Sequence, residues 1–349
     1  VTRLDDALEL VSISSVSRNE SEIAEHIEGR LRVASHLEVE RIGDNVVART
    51  TGHHTTRLIV AGHIDTVPGD ASEALIVGEE LRGVGACDMK GSVSVMIELA
   101  LDATPRSVEI TWIFYAREEI ARRDSGLSEI AELRPELLRG DVAVLGEPTG
   151  GIVEAGCQGT LRIVVKVVGR RAHSARPFAG RNAIHRAGDI ICRVAAYEPR
   201  IAEIDGITFT EQLQVVSIDG GVAPNVVPDL ATLTLNHRFA PDRSHNEAVS
   251  WLRDYLGDLV EDEDTFEVGD WSPSALPSLL NERLRALVAL SERAAVGKVG
   301  WTDVATFQEL SIPATNFGAG DPLLAHRSDE FVTQGELDEF ARVLSKWIA

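Results

Sequence analysis

Residues 58–65 read LIVAGHID, four apolar positions and a glycine followed by a histidine and an aspartate two residues apart. A short, β-branched apolar run of this kind reads as a strand buried on both faces. Polar groups placed directly after it fall at the carboxyl end of a strand, where open α/β sheets gather their ligands. The arrangement recurs along the chain. Val108–Ala116 leads to Glu118 and Glu119, Val142–Leu145 leads to Glu147, and Ala314–Phe317 leads through a Gly/Pro loop to His326. Helical periodicity at Leu4–Val11, at Ser21–Val33 with Ser21 as N-cap, and at Ser92–Leu101 separates the early strands. The alternation predicts an α/β fold with helices packed on a mostly parallel sheet.

The middle of the chain changes style. Strand Leu161–Val168, helix Asn182–Ala196, strands Gln212–Ile218 and Ala231–Phe239, helix His245–Leu259 and a short strand Thr265–Val268 give the order β-α-β-β-α-β, the ferredoxin-like pattern. Helix Leu279–Ala295, strand Ala314–Phe317 and helix Gly335–Trp347 then return to the first style. The expected division is one domain from residues 1–157 and 269–349, interrupted by an inserted α+β domain at 158–268.

Composition excludes more than it nominates. A net charge of −21 argues against a nucleic-acid surface, which needs basic patches. No apolar run reaches the length that spans a bilayer, and VTRLDDALELVS carries acids where a signal peptide is basic and apolar. Three scattered cysteines form neither a disulfide framework nor a CxxC metal spacing. Together these predict a cytoplasmic protein with no membrane or nucleic-acid partner. The acid run Glu261–Asp264 reads as a solvated loop. Of 34 basic side chains only Lys90, Lys166, Lys298 and Lys346 are lysine, which we read as coding bias.

Asp88, in the Gly-rich loop GVGACDMKG, adds a fifth metal-capable residue to His63, Glu119, Glu147 and His326. Two histidines and three carboxylates without a thiolate suit a borderline-hard divalent ion such as zinc. Five ligands exceed one catalytic zinc, whereas a carboxylate bridging two ions about 3.5–4 Å apart accounts for the count. Each residue also has an ordinary reading. A lone histidine near a strand end is more often a loop or core residue, Glu147 before a proline can be a turn residue, and Asp88 can favour a helix dipole. Glu118 and Glu119 among Arg117, Arg122 and Arg123 can be a surface ion-pair cluster. Their shared position at strand ends favours the joint reading.

The motifs GHIDTVP (62–68), GACDMKG (85–91), EE (118–119), GEPT (146–149), GRRAHSARP (169–177) and AH (325–326) resemble, in order and spacing, the M20 family of dinuclear zinc peptidases and deacylases. The resemblance covers essentially the whole chain. It implies a zinc-binding catalytic domain and a dimerisation, or lid, domain, hence a homodimer acting on an acylated amino acid. It implies two zinc ions per subunit, with cobalt as a substitute. Asp88 would bridge them, with His63 and Glu147 on one ion and Glu119 and His326 on the other. Glu118 would be the general base, Asp65 the residue that orients the His63 ring, and His173 an oxyanion donor reaching across the dimer.

Within the family, CQGTLR (157–162), GGVAPNVVPD (220–229), NHRFAPDRS (236–244), GKVGWTDVATF (297–307) and IPATNFGAGDPLLAH (312–326) are most like actinobacterial members that hydrolyse N-succinyl-LL-2,6-diaminopimelate. Such a polyanion calls for cationic anchors, and Arg162, Arg176 and Arg238 are the candidates. Ordinary surface charge is the competing reading for Arg162 and Arg176, a structural ion pair for Arg238. Asn225 and Thr302 lie in stretches that line the family's substrate pocket. N-acetylornithine deacetylase, aminoacylase and dipeptidase activities remain alternatives. A non-catalytic binding protein would show a degraded ligand set, which this chain does not. Two departures stand out: the glycine that follows the paired glutamates is delayed to Gly126, and DMKGS replaces DMKGG.

Overall fold

A computed structural model describes residues 2–349, which form two compact units. The first contains the chain up to Gly156 together with Pro277–Gly297 and Thr302–Ala349; the second contains Cys157–Leu276 and Lys298–Trp301. No helix among the described residues is long and apolar enough to cross a membrane.

The first unit is built on an eight-stranded sheet. Its order is Leu37–Ile42, Asn45–Thr50, Glu109–Tyr115, Arg57–His63, Val142–Leu145, Ala314–Asn316, Glu154–Ala155 and Val296–Gly297. Arg57–His63 is parallel to both its neighbours, and Val142–Leu145 is parallel to Ala314–Asn316. All of Glu109–Tyr115 and Val142–Leu145 is buried, which explains why these strands read as unbroken apolar runs rather than alternating ones. Ala48, Leu58, Val60, Ile110, Trp112 and Val144 join one core with the helices Arg3–Val11, Ser21–Leu31, Gly91–Leu101 and Gln334–Trp347. Helix Val304–Glu309 packs against Val142–Leu145 and Ala314–Asn316.

Helix starts follow their caps. Thr2 with Asp5, and Thr333 with Glu336, form reciprocal capping boxes. Ser21 is not the N-cap expected for the second helix but its first residue. Glu20 precedes it, with a side chain turned back to accept the N–H groups of Arg18 and Arg117 at 2.9 and 3.1 Å.

The second unit has the β-α-β-β-α-β order, with sheet order Gln212–Gly220, Leu230–Phe239, Gly159–Val168, Thr265–Ser272, every pair antiparallel. Helices Ala183–Ala195 and His245–Leu256 bury Ala187, Ile190, Leu252 and Leu256 against Leu161, Ile163, Val165, Leu233 and Leu235. The alternate residues Thr160, Arg162, Asn236 and Arg238 lie on the other face of the sheet. The last strand runs to Ser272, past the expected Val268, because its pairing with Gly159–Val168 resumes beyond an irregularity and continues to Thr160. The acid run is not a simple solvated loop. Asp264 is fully buried as a side chain, held by Arg186 at 2.6 Å and by the Val168 N–H at 2.7 Å, while Glu261 pairs with Arg181. These cations come from far along the chain.

Candidate active site

The parallel strands deliver polar residues to one end of the first unit's sheet. His63 is the final residue of its strand and is 1% exposed. Its Nδ1 faces the backbone oxygen of Asp65 at 3.0 Å, and a carbonyl only accepts, so Nδ1 carries a proton. Nε2 lies 3.0 Å from Asp88 Oδ1, a contact in which the ring must donate, since a carboxylate only accepts; a bound metal would take the place of that proton. The Asp65 carboxylate is also 3.6 Å from Nδ1. Its main partners lie elsewhere: the N–H groups of Glu118 at 3.0 Å and Glu119 at 3.1 Å, and the Ser17 hydroxyl at 2.7 Å.

Asp88 sits in the loop Ala86–Lys90, entered through Gly85 at φ +86°. Its second oxygen is 3.5 Å from His326 Nε2, which in turn lies 2.9 Å from Glu119 Oε1. Ligand atoms of His63, Asp88 and Glu119 all lie within 4.8 Å of one another. Glu147 is 6% exposed and close enough for its charge to act on both His63 and Glu118.

The charge balance of this cluster is distinctive. Burial, and after it the charge of Glu147, push the Glu118 carboxyl well above the usual carboxylate range. Hydrogen bonds to Asp88 and Glu119 push His326 up to about 10. Burial opposes charge on His63, yet Asp65 and Asp88 more than offset it and raise that ring as well. All three shifts arise where five carboxylates, Asp65, Asp88, Glu118, Glu119 and Glu147, gather around two imidazoles, His63 buried and His326 exposed. Divalent cations would supply the missing positive charge, and the nitrogen and oxygen donors present fit such a metal cofactor.

The acids and arginines of residues 115–123 separate in space. Arg117 donates to Asp124 O at 2.7 Å and pairs with Glu129 at 2.5 Å, while Arg122 pairs with Glu309. The surface ion-pair reading thus applies to those two arginines, whereas Glu118 and Glu119 turn to the cluster. Gly126 closes the intervening loop by donating to Ala116 O at 2.7 Å. Buried Asn45 fixes the same strand end, accepting the Ala116 N–H at 2.9 Å.

The remaining candidates are distributed as follows. Thr302, in the first unit, is 2% exposed and donates its hydroxyl to Asn316 at 2.9 Å. His173, Arg176 and Asn225 are exposed in the second unit, where the Ser174 N–H donates to Asn225 O at 2.9 Å. His173 Nδ1 accepts the Ala175 N–H at 3.1 Å, so the neutral ring presents Nε2–H as a donor. Arg162 lies 3.6 Å from Asp270. Arg238 bonds the Thr160 hydroxyl, and among the described residues no carboxylate pairs with it. Burial, then neighbouring Arg162, lower its pKa.

Sequence reasoning missed Ser17, which holds Asp65, and Glu330, which holds the Asp88 loop. It also missed Asp303, a buried acid whose carboxyl is raised by burial and whose charge reaches Glu118.

Residues 156–264 match the model of the M20 peptidase dimerisation domain. The chain is 44% identical over 342 residues to a putative succinyl-diaminopimelate desuccinylase DapE of Mycobacterium tuberculosis, covering 97% of this chain and 96% of that protein. The chain belongs to the M20 family. A second M20 relative, succinyl-diaminopimelate desuccinylase of Corynebacterium glutamicum, is 42% identical over 347 residues, covering 97% of this chain and 94% of its own length. Solved structures show the same fold. A Staphylococcus aureus tripeptidase superposes with a TM-score of 0.81 at 21% identity, covering 99% and 97% of the two chains. An M20 metallo-carboxypeptidase from Sulfolobus solfataricus does so at 0.76 and 16%, covering 99% and 98%.

Proposed function

We propose that this chain is a metal-dependent amide hydrolase that converts N-succinyl-LL-2,6-diaminopimelate and water to succinate and LL-2,6-diaminopimelate, in lysine and diaminopimelate biosynthesis. The observation that carries this reading is 42–44% identity along almost the whole chain to the two desuccinylases, against 30% to an acetylornithine deacetylase of Myxococcus xanthus.

Two zinc ions, replaceable by cobalt, are the proposed cofactor, with His63 and Glu147 on one, Glu119 and His326 on the other, and Asp88 between them. When bound, they would polarise the amide carbonyl and lower the pKa of water. Glu118 is the proposed base. Burial and the neighbouring acids raise its carboxyl, and the cations' charge would bring it back toward the carboxylate that can accept a proton from water and return it to the leaving amine. Water adds to the succinyl carbonyl carbon, the C–N bond breaks, and the proton parked on Glu118 goes to the amine nitrogen. Asp65 holds the backbone of Glu118 and Glu119 while this happens.

The second unit is proposed to be the dimerisation and lid domain of a cytoplasmic homodimer. His173, exposed with Nε2–H as donor, would stabilise the oxyanion in the active site of a second copy. Arg162, Arg176 and Arg238 are the proposed carboxylate anchors, with Asn225 and Thr302 beside the substrate. Arg238, half-buried and without a carboxylate partner among the described residues, is the strongest of the three.

The test is kcat/KM of the zinc-loaded protein on N-succinyl-LL-2,6-diaminopimelate and on N-acetylornithine. The succinylated substrate should be turned over faster; faster turnover of acetylornithine would replace this reading with a deacetylase.

A further inference from the structure

We propose that Glu330 is a positioning residue that clamps the Asp88 loop to the His326 loop and so sets the geometry of the metal cluster. The inference rests on the proposed ligand roles of Asp88 and His326. Glu330 is 1% exposed, and one of its oxygens accepts the N–H of Cys87 at 2.8 Å and that of Asp88 at 2.9 Å. Its backbone oxygen accepts the Gly83 N–H at 3.0 Å, and its own N–H reaches back to Arg327 O at 3.3 Å. One residue thus gathers the turn that leads into Asp88 and closes the turn that follows His326.

Among the described residues no lysine or arginine lies within ion-pair distance of Glu330, so the loop's N–H groups are its principal partners. A buried carboxylate is costly to keep unless its hydrogen bonds are needed where they are. Here they orient the peptide units on either side of Cys87, immediately before the Asp88 side chain. Asp88 faces His63 and His326 with different oxygens, 3.0 and 3.5 Å away, so a small rotation of this loop would misplace both contacts. Glutamine has the right length and keeps one acceptor, but it replaces the carboxylate's charge with a neutral amide and so weakens both N–H bonds. Aspartate keeps both acceptors and falls short of the loop.

The test compares Glu330→Gln and Glu330→Asp with Asp329→Asn, a control at the adjacent exposed residue that pairs with Arg327. Zinc affinity is read by competition with a chromophoric chelator, alongside kcat, KM and the melting temperature of the metal-free protein. Weakening of zinc binding by about 10–100-fold, with kcat falling while KM stays within about twofold, is the expected result for both Glu330 variants. Asp329→Asn should match the parent. Unchanged zinc affinity with a lowered melting temperature, or loss of the fold in both Glu330 variants, would make Glu330 purely structural and overturn the proposal. Failure of the unmutated protein to hold zinc would remove the metal-site reading first, and the clamp with it.

Discussion

Asp65 accepts the backbone N–H of Glu118 through one carboxylate oxygen at 3.0 Å, and its other oxygen is already shared by Glu119 and Ser17. The two proposed functional acids therefore hang from a third acid that is fully buried. Asp65→Asn keeps the size but leaves one oxygen for N–H groups that used two. Turnover should fall about 10–100-fold in folded protein, as expected for residues that support a metal site. Activity within about twofold of the parent would show that the backbone of the pair needs no such anchor.

Gly126 marks where this chain departs from its family's pattern, and its packing explains why a glycine is needed there. A Cβ at this position would stand 1.8 Å from Asn45 Oδ1 and 2.8 Å from both the backbone nitrogen and oxygen of Ala116. Backbone cannot yield as a flexible side chain can. Gly126→Ala should destabilise the protein by about 1–3 kcal/mol and lower turnover, because Ala116 precedes the paired acids closely. Denaturation midpoints and kcat, measured together, check both effects.

Glu211 supplies a pH-dependent part of the second unit's stability. It is fully buried as a side chain, with Arg200 at 3.1 Å, the Ala240 N–H at 3.0 Å and Arg243 at 3.2 Å. Burial works against its charge, but His237, the Ala240 N–H and Arg243 more than offset it and lower its pKa. A folded pKa below the unfolded value of about 4.3 means the unfolded chain binds the proton first. The contribution is complete above that value and is lost as pH falls through the folded pKa. Glu211→Gln should cost about 3 kcal/mol near pH 7, with the gap from the parent closing below about pH 4. Urea denaturation at neutral and acid pH tests it; a gap that widens on acidification would contradict the assignment.

If His173 serves a second copy's active site, two inactive variants should complement. Co-expressed His173→Ala and Glu119→Gln chains, pairing at random, would form mixed dimers with one intact site, recovering about a quarter of parental activity. No recovery in isolated mixed dimers would place His173 elsewhere.

Much of the fold was legible because burial writes itself into sequence. Val142–Leu145 and Leu58–Ala61 are enclosed on both faces, so these runs are apolar throughout and the polar residues that follow mark the strand ends. The second unit was legible because its periodicity switches cleanly between strand and helix. The edge hairpin Leu37–Ile42/Asn45–Thr50 was missed, its first strand being half-exposed and rich in charge. Ser21 looked like a cap, but Glu20 had long-range work at Arg117 that no local pattern shows. Glu330 and Asp65 act through backbone N–H groups far along the chain, 242 residues away for Glu330 and Asp88. Such contacts leave no spacing to read.

If Glu118 and Glu119 divide base and ligand between them, paired substitution separates the two roles. Zinc content and turnover should be measured on Glu118→Gln and Glu119→Gln prepared alike. Glu118→Gln should keep its zinc and lose about 10²–10⁴-fold in turnover, whereas Glu119→Gln should bind zinc more weakly. Both variants retaining zinc and activity would contradict that division of roles.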